Sequence, residues 1–332
     1  VPIDAIAGEP QFLDHLAPVW KALPPAVRGR FLVAFEMAEQ AQRLEIDAIL
    51  KQFTVGTEAG SKGEPRGPKC LVASYGDVKK ARRLGYGDFA RFEHGIGQAY
   101  SNTHPSYAGG RDASDHSLFL MPNEYSANLW WTAYPSARVE VVGSPRLDSL
   151  PQREGEPGRV VAFSLHWRCN VAPETYPAGE FASALPALSR RFTVLGHGHP
   201  RGIGDLMPYY QRLGIELVPD FEEICRRADV FVADNSSAMY EFAATGRPVV
   251  ALNSQNWRRH VHHGLRFWDA VPGEQVDDPA DLIDAVERAL GDPDWLRAVR
   301  EHALGIVYPY RSGAAQRAAQ RLATWAQVAV AA

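Results

Sequence analysis

Short apolar runs alternate with amphipathic segments along the whole chain, and that alternation predicts strands separated by helices. Ile3–Ala7, Arg30–Ala34, Cys70–Ser74, Phe89–Glu93, Ser117–Met121 and Arg138–Val142 read as strands. Gln11–Leu23, Ala38–Leu50, Asp77–Leu84 and Glu124–Ala133 read as the helices among them. The stretch 56–69 is rich in Gly, Pro and Lys and reads as a loop. After 144–159, rich in Pro, Gly and charge, a second series begins. Its strands are Val160–Leu165, Phe192–Leu195, Glu216–Val218, Val230–Ala233 and Pro248–Leu252. Its helices are Glu180–Arg190, Asp205–Leu213, Phe221–Ala228, a short one after Ala233, Ala280–Leu290 and Pro293–Leu304. A long Ala-, Arg- and Gln-rich helix, about Gly313–Val330, closes the chain.

Short apolar strands between helices imply parallel sheets covered on both faces. With 332 residues the chain exceeds one ordinary core, so two domains of about 150 residues are expected. The series divides into two Rossmann-like halves joined by the 144–159 linker, an α/β chain with domains at 1–148 and 149–312. Ligands of open α/β sheets bind beyond the carboxyl ends of the strands. Residues that directly follow strands are therefore the candidates for chemistry.

Composition narrows the classes. Hydrophobic residues make up 45% and charged residues 22%, as in an ordinary globular protein. A net charge of −4 gives no general attraction to nucleic acid or anionic membrane. The three cysteines, Cys70, Cys169 and Cys225, form no CxxC pair, which points away from a disulfide framework and toward a reducing cytoplasm. No apolar run approaches the ~20 residues that span a bilayer, so no transmembrane segment is expected. No signal peptide is read ahead of the first strand.

Four groups stand after strands. Asn235, Ser236 and Ser237 open a helix, where free N–H groups and a partial positive charge suit a phosphate. Glu241 follows Ser237 by one turn on the same face and could accept hydrogen bonds from a ribose. The same serines also fit plain helix capping. His94 ends a strand before Gly95, Gly97 and Gln98, a position for a general base or for a structural imidazole. His197 and His199 follow a strand in the second half, where an imidazole could stabilise a leaving pyrophosphate. Together with His260, His262 and His263 they lack an acidic or Cys partner at ligand spacing, so no metal is expected. Arg168 follows His166 and Trp167 and suits a bidentate phosphate contact or a plain surface. Trp130-Trp131 reads as core, Asp112, Asp115 and His116 as a solvated loop, and Arg311, Arg317 and Arg321 as a solvated face.

Taken in order, HGIGQ (94–98), LHWR (165–168), GHGHP (196–200) and ADNSS (233–237) with Gly246-Arg247-Pro248 resemble the CDP-glycerol glycerophosphotransferases of teichoic acid synthesis. VGSPRLD (142–148) and YPYRSGAAQRAAQRL (308–322) extend the resemblance over about residues 90–320. The family's Lys after its HGTP motif is absent, Ser312 replaces an Asp, and Asp234-Asn235 replaces Asp-Tyr. A weaker resemblance, through Glu241 and His199, runs to the non-hydrolysing UDP-N-acetylglucosamine 2-epimerases. The resemblance implies a GT-B fold, two Rossmann-like domains facing each other across a cleft, with the last helix packing back on the first. It implies a metal-independent transferase moving a glycosyl or glycerophosphate group from a nucleotide-diphosphate donor to an acceptor hydroxyl, with no cofactor. His94 would be the base and His199 would meet the leaving phosphate. Arg168, His197, Asn235, Ser236, Ser237 and Glu241 would hold the donor, and Gly95, Gly97 and Gln98 would lie on the acceptor side. A glycan, polyol phosphate, nucleic acid base or small metabolite would fit as acceptor. A nucleotide-sugar epimerase or hydrolase, and a non-catalytic nucleotide-sugar binding protein, are the competing expectations.

Overall fold

The computed structural model describes residues 1–33, 54–55, 68–96, 114–156, 158–168, 178–234, 236–253 and 270–327. The expected helix Ala38–Leu50, most of the 56–69 loop, Ala34, Gly97, Gln98, Asp112, Cys169, Asn235, His260, His262, His263 and the end of the last helix lie outside them. The described residues form two compact units: one runs to Ser149 and resumes at Tyr308, the other spans Leu150–Val307.

Unit one holds a sheet of seven strands, β1 (Ile3–Ala7), β2 (Arg28–Val33), β3 (Thr54–Val55), β4 (Lys69–Val72), β5 (Asp88–Phe92), β6 (His116–Met121) and β7 (Arg138–Val141). Their order is β3-β2-β1-β4-β5-β6-β7, and every pairing is parallel. All five residues of β1 are buried, as a strand covered on both faces requires. Helix α1 (Pro10–Ala22) opens on a proline, whose missing N–H costs nothing at that position, and turns Phe12, Leu13, Leu16 and Val19 into the core. Helix α2 (Tyr75–Arg83) starts where the Ser74 hydroxyl accepts the Asp77 N–H at 3.1 Å. Helix α3 (Glu124–Ala133) starts where Asn123 accepts the Ser126 N–H at 2.9 Å.

Unit two holds six parallel strands, β8 (Val160–Leu165), β9 (Thr193–Gly198), β10 (Glu216–Leu217), β11 (Val230–Ala233), β12 (Val249–Leu252) and β13 (Glu274–Val276), in the order β10-β9-β8-β11-β12-β13. The single helix expected at Glu180–Arg190 is broken into α4 (Ala178–Phe181), a 3₁₀ turn at Ala182–Ala184 and α5 (Leu185–Arg191). Pro186 is the cause: it has no N–H to donate to a carbonyl one turn back, so it sits in the first turn of a new helix, where that N–H is not needed, while Leu185 before it keeps α backbone. Strand β9 runs to Gly198, three residues beyond the expected end, and Lys69 opens β4 instead of closing a loop. Helices α6 (Ile203–Leu213), α7 (Phe221–Arg227), α8 (Ala238–Ala244), α9 (Leu282–Leu290) and α10 (Asp294–Val307) follow.

The last helix, α11 (Ala314–Gln327), belongs to unit one. Its small face lies against α1, and Ala315, Ala318, Ala319, Leu322, Trp325 and Ala326 join the same core. Asp148 caps it, accepting the Ala314 and Ala315 N–H groups at 3.2 and 2.8 Å. Among the described residues, no helix is long and apolar enough to cross a membrane.

Candidate functional site

In unit two the strand order reverses between β8 and β11, the point where open α/β sheets bind ligands. Register sets what meets there. Ala233 pairs with Ser164 and Gly198 with Leu165, so the chains leaving β11, β8 and β9 emerge level. Asp234 then accepts the His166 N–H at 2.8 Å and ties the two strand ends together. His199 lies beside His166, with ring centroids 5.1 Å apart, and beside Trp167 at 6.1 Å. The Arg201 N–H donates to His199 Nδ1 at 3.1 Å. A nitrogen that accepts carries no proton, so the neutral ring carries its proton on Nε2. Arg201 stacks over Trp167 at 5.2 Å, and Arg168 is exposed beside it.

The turn into α8 separates the two serines. Ser236 Oγ accepts the Ala238 N–H at 3.2 Å, a capping bond, whereas Ser237 makes no side-chain cap bond. Glu241 follows by one turn and is buried. His197 lies inside β9, not after it as expected, because the strand continues through the glycines on either side. Its side chain is buried, with Nδ1 2.9 Å from Ser164 Oγ and its ring near Phe221 and Phe231.

In unit one His94 follows β5, and Gly95 turns the chain at φ 76°, a backbone conformation that glycine adopts without strain. His94 Nδ1 lies 2.9 Å from the Ala73 carbonyl, an oxygen that can only accept. The proton is therefore on Nδ1, and Nε2 carries a lone pair. Phe12 packs edge-on against the ring at 4.7 Å, yet 39% of the side chain remains exposed. Desolvation holds the imidazole below its ordinary value; Glu93 opposes this and Arg91 reinforces it. The result is a neutral base near pH 7.

Two further residues of unit one escape a reading of strand ends. His15 on α1 is buried, 6.4 Å from His94 between ring centroids, and burial, Arg146 and His94 hold it well below the usual value. Asp77 in the first turn of α2 is buried and raised to about 6, chiefly by desolvation. In unit two His166, Arg201 and Asp234 were likewise missed as parts of the cluster. Only register reveals them. The structure thus gathers His199, Arg168, Ser236, Ser237 and Glu241 into unit two and sets His94 and Gly95 in unit one. Among the described residues, no group of three or more His, Cys, Asp or Glu could hold a metal ion.

Comparison with known proteins agrees with the motif resemblance. Residues 181–324 match the family model of CDP-glycerol:poly(glycerophosphate) glycerophosphotransferase, a match that takes in GHGHP and ADNSS and leaves out HGIGQ and LHWR. No curated protein matches the chain by sequence. Among solved structures, the wall teichoic acid polymerase TagF is similar at a TM-score of 0.64 and 12% identity, over 98% of this chain and 88% of that one. A putative UDP-N-acetylglucosamine 2-epimerase from Listeria monocytogenes is similar at 0.64 and 14%, over 97% and 94%. The UDP-GlcNAc 2-epimerase from Neisseria meningitidis, bound to UDP-GlcNAc, is similar at 0.60 and 12%, over 98% and 99%. These likenesses bear out the GT-B-type α/β fold, and the chain resembles the glycerophosphotransferases in motif and family model alike.

Proposed function

We propose that the protein is a metal-independent transferase that moves a glycosyl or glycerophosphate group from a nucleotide-diphosphate donor to an acceptor hydroxyl. The observation that carries this reading is the opposite protonation of two histidines at strand ends. His94 offers a lone pair on Nε2 and His199 offers a proton on Nε2. A transfer needs both kinds of group, one that removes a proton and one that stabilises negative charge, and each unit carries one of them.

In this reading His94 takes the proton of the acceptor hydroxyl as its oxygen attacks. With a sugar donor, a bond forms at the anomeric carbon and the nucleoside diphosphate leaves. With CDP-glycerol, a bond forms at the β-phosphorus, the pyrophosphate bridge breaks and CMP leaves. His199 and Arg168 meet the charge on the leaving phosphate, Ser237 and the first turn of α8 hold the phosphates, and Glu241, which the free protein buries, turns outward to take the ribose. His197 is buried and acts through the fold of β9. The family match over residues 181–324, most of unit two and much of α11, supports a nucleotide-activated donor.

The test is turnover of CDP-glycerol and of UDP-, GDP- and dTDP-sugars, with Mg²⁺ and with EDTA. His94→Ala is expected to lower transfer by about 10²–10⁴-fold, the usual loss of a general base, while nucleotide still binds. The acid limb of the wild-type rate is expected below the ordinary imidazole value of about 6.5, because the neutral ring is the active form. Near-normal turnover in His94→Ala removes this residue from the mechanism. Sugar turnover without any acceptor assigns the protein to the epimerase or hydrolase reading, to which the fold likeness also leads.

A further inference from the structure

Away from the strand ends, a groove of about 420 Å³ runs along β7, the edge strand of unit one. Trp131 stands at it with 63% of its surface exposed, and Tyr310 with 42%. The WW pair thus splits. Trp130 is buried and stacked on Phe119 at 4.6 Å, while Trp131, expected in the core, faces outward. The buried neighbour fixes the backbone beneath the exposed ring. Glu124, Asn128 and Trp131 recur at i, i+4 and i+7 and line the same groove over about 10 Å of α3. Across the edge, Glu140 is paired with Arg138 and, at 3.2 Å, with Arg321. Arg317 lies over the Tyr310 ring at 4.2 Å and is anchored by its Nε to the Val142 carbonyl at 2.9 Å.

We infer that this groove binds a neutral hexopyranose saccharide. A single exposed aromatic is ordinary, but two that line one groove form a contiguous patch of the kind that marks a binding surface. A pyranose ring has an apolar face of C–H groups that packs on an indole, and edges of hydroxyls that need planar donors and acceptors. Trp131 and Tyr310 supply the platforms; Glu124, Asn128 and Arg321 supply the planar polar groups. The volume lies in the range of small-molecule sites. Charge narrows the class: Glu124 and Glu140 are matched by Arg138 and Arg321, and Arg317 is held on the Val142 and Ser312 carbonyls against the Tyr310 ring. Among the described residues the groove therefore offers no cluster of cations for a phosphate or carboxylate, and a neutral polyhydroxyl meets matched charges. The charges of Arg138 and Glu140 along β7 also oppose addition of a further strand. The inference does not depend on the reaction proposed above.

The test is saturation-transfer NMR on the full chain with cellobiose, maltose and N,N′-diacetylchitobiose, and with glycerol 3-phosphate as an anionic probe. At least one neutral disaccharide is expected to receive saturation on its ring protons at millimolar concentration. Trp131→Ala is expected to weaken that binding about tenfold or more, as loss of an aromatic anchor does, with an unchanged melting temperature. Trp295→Ala, which removes an exposed tryptophan of unit two, is expected to leave it unchanged. The inference is overturned if no disaccharide is saturated, if the Trp295 variant loses binding equally, or if glycerol 3-phosphate binds better than every sugar.

Discussion

Asp77 holds a carboxyl in a place that penalises its charge. It is 1% exposed, and it accepts the Gly8 N–H where β1 gives way to α1. Desolvation outweighs that bond and raises the group from 3.8 to about 6. A raised acid binds protons in the native state that the unfolded chain has already released. Stability therefore falls as pH climbs from 3.8 through about 6, by at most about 3 kcal/mol for a shift of this size. Asp77→Asn keeps an acceptor for Gly8 and removes the charge. The variant is expected to gain on the wild type between about pH 4 and pH 7, read as the difference in melting temperature; parallel curves would remove the buried charge from the balance. The sequence shows little of this. His94 was legible because a strand pattern ended there and Gly95 marked a turn. Asp77 and His15 were not, because each interrupts or flanks an apolar helix face, and nothing local reveals the imidazole or backbone amide it meets. His197 was misplaced because Gly196 and Gly198 read as loop. In the fold Gly196 stays in β9 and leaves room for the Tyr210 ring, which a Cβ would approach to 2.8 Å.

At the scale of elements, the periodicity located almost every described strand and helix, and its failures have causes. The expected helix at Glu180–Arg190 breaks because Pro186 overrides an otherwise helical pattern. The three-residue β13 was missed because so short a run carries no period to read. Helix α11 shows what periodicity omits. Its alanine face was visible in the pattern, while its place on the first domain came only from the family resemblance. Trp325 is buried, its ring lies 4.2 Å from Lys69 Nζ, and its Nε1 donates to Ser117 Oγ at 2.7 Å. Lys69 is itself buried and paired with Asp88 at 2.7 Å, and Ser117 also donates to Asp88. One indole thus closes a polar cluster contributed by three strands of the sheet. Trp325→Ala opens a cavity and strips cover from a buried ion pair. It is expected to cost about 3–5 kcal/mol in chemical denaturation. A loss below about 1 kcal/mol would mean that α11 is docked by its alanines alone.

At the scale of the molecule, the two units differ in how the chain builds them. Unit two is contiguous from Leu150 to Val307, whereas unit one needs α11 from the far end of the sequence. Strand and helix alternation made two parallel-sheet halves legible, but no local pattern shows to which half a terminal helix returns. The asymmetry has a measurable consequence. Unit two carries both faces of its sheet in its own helices, and its core residues, from Val161 to Leu296, all lie within it. A fragment Leu150–Val307 is expected to fold alone and melt cooperatively. A fragment ending at Ser149 lacks six core residues that α11 supplies and is expected to remain uncooperative until a peptide spanning α11 is added. The first fragment also carries Arg168, His199, Ser236, Ser237 and Glu241 and lacks His94. If donor recognition belongs to unit two, a nucleoside diphosphate will raise its melting temperature by mass action, and the fragment will not turn the donor over. A folded fragment that no nucleotide stabilises would move donor recognition out of unit two, and the serines before α8 would be left with the capping bond alone.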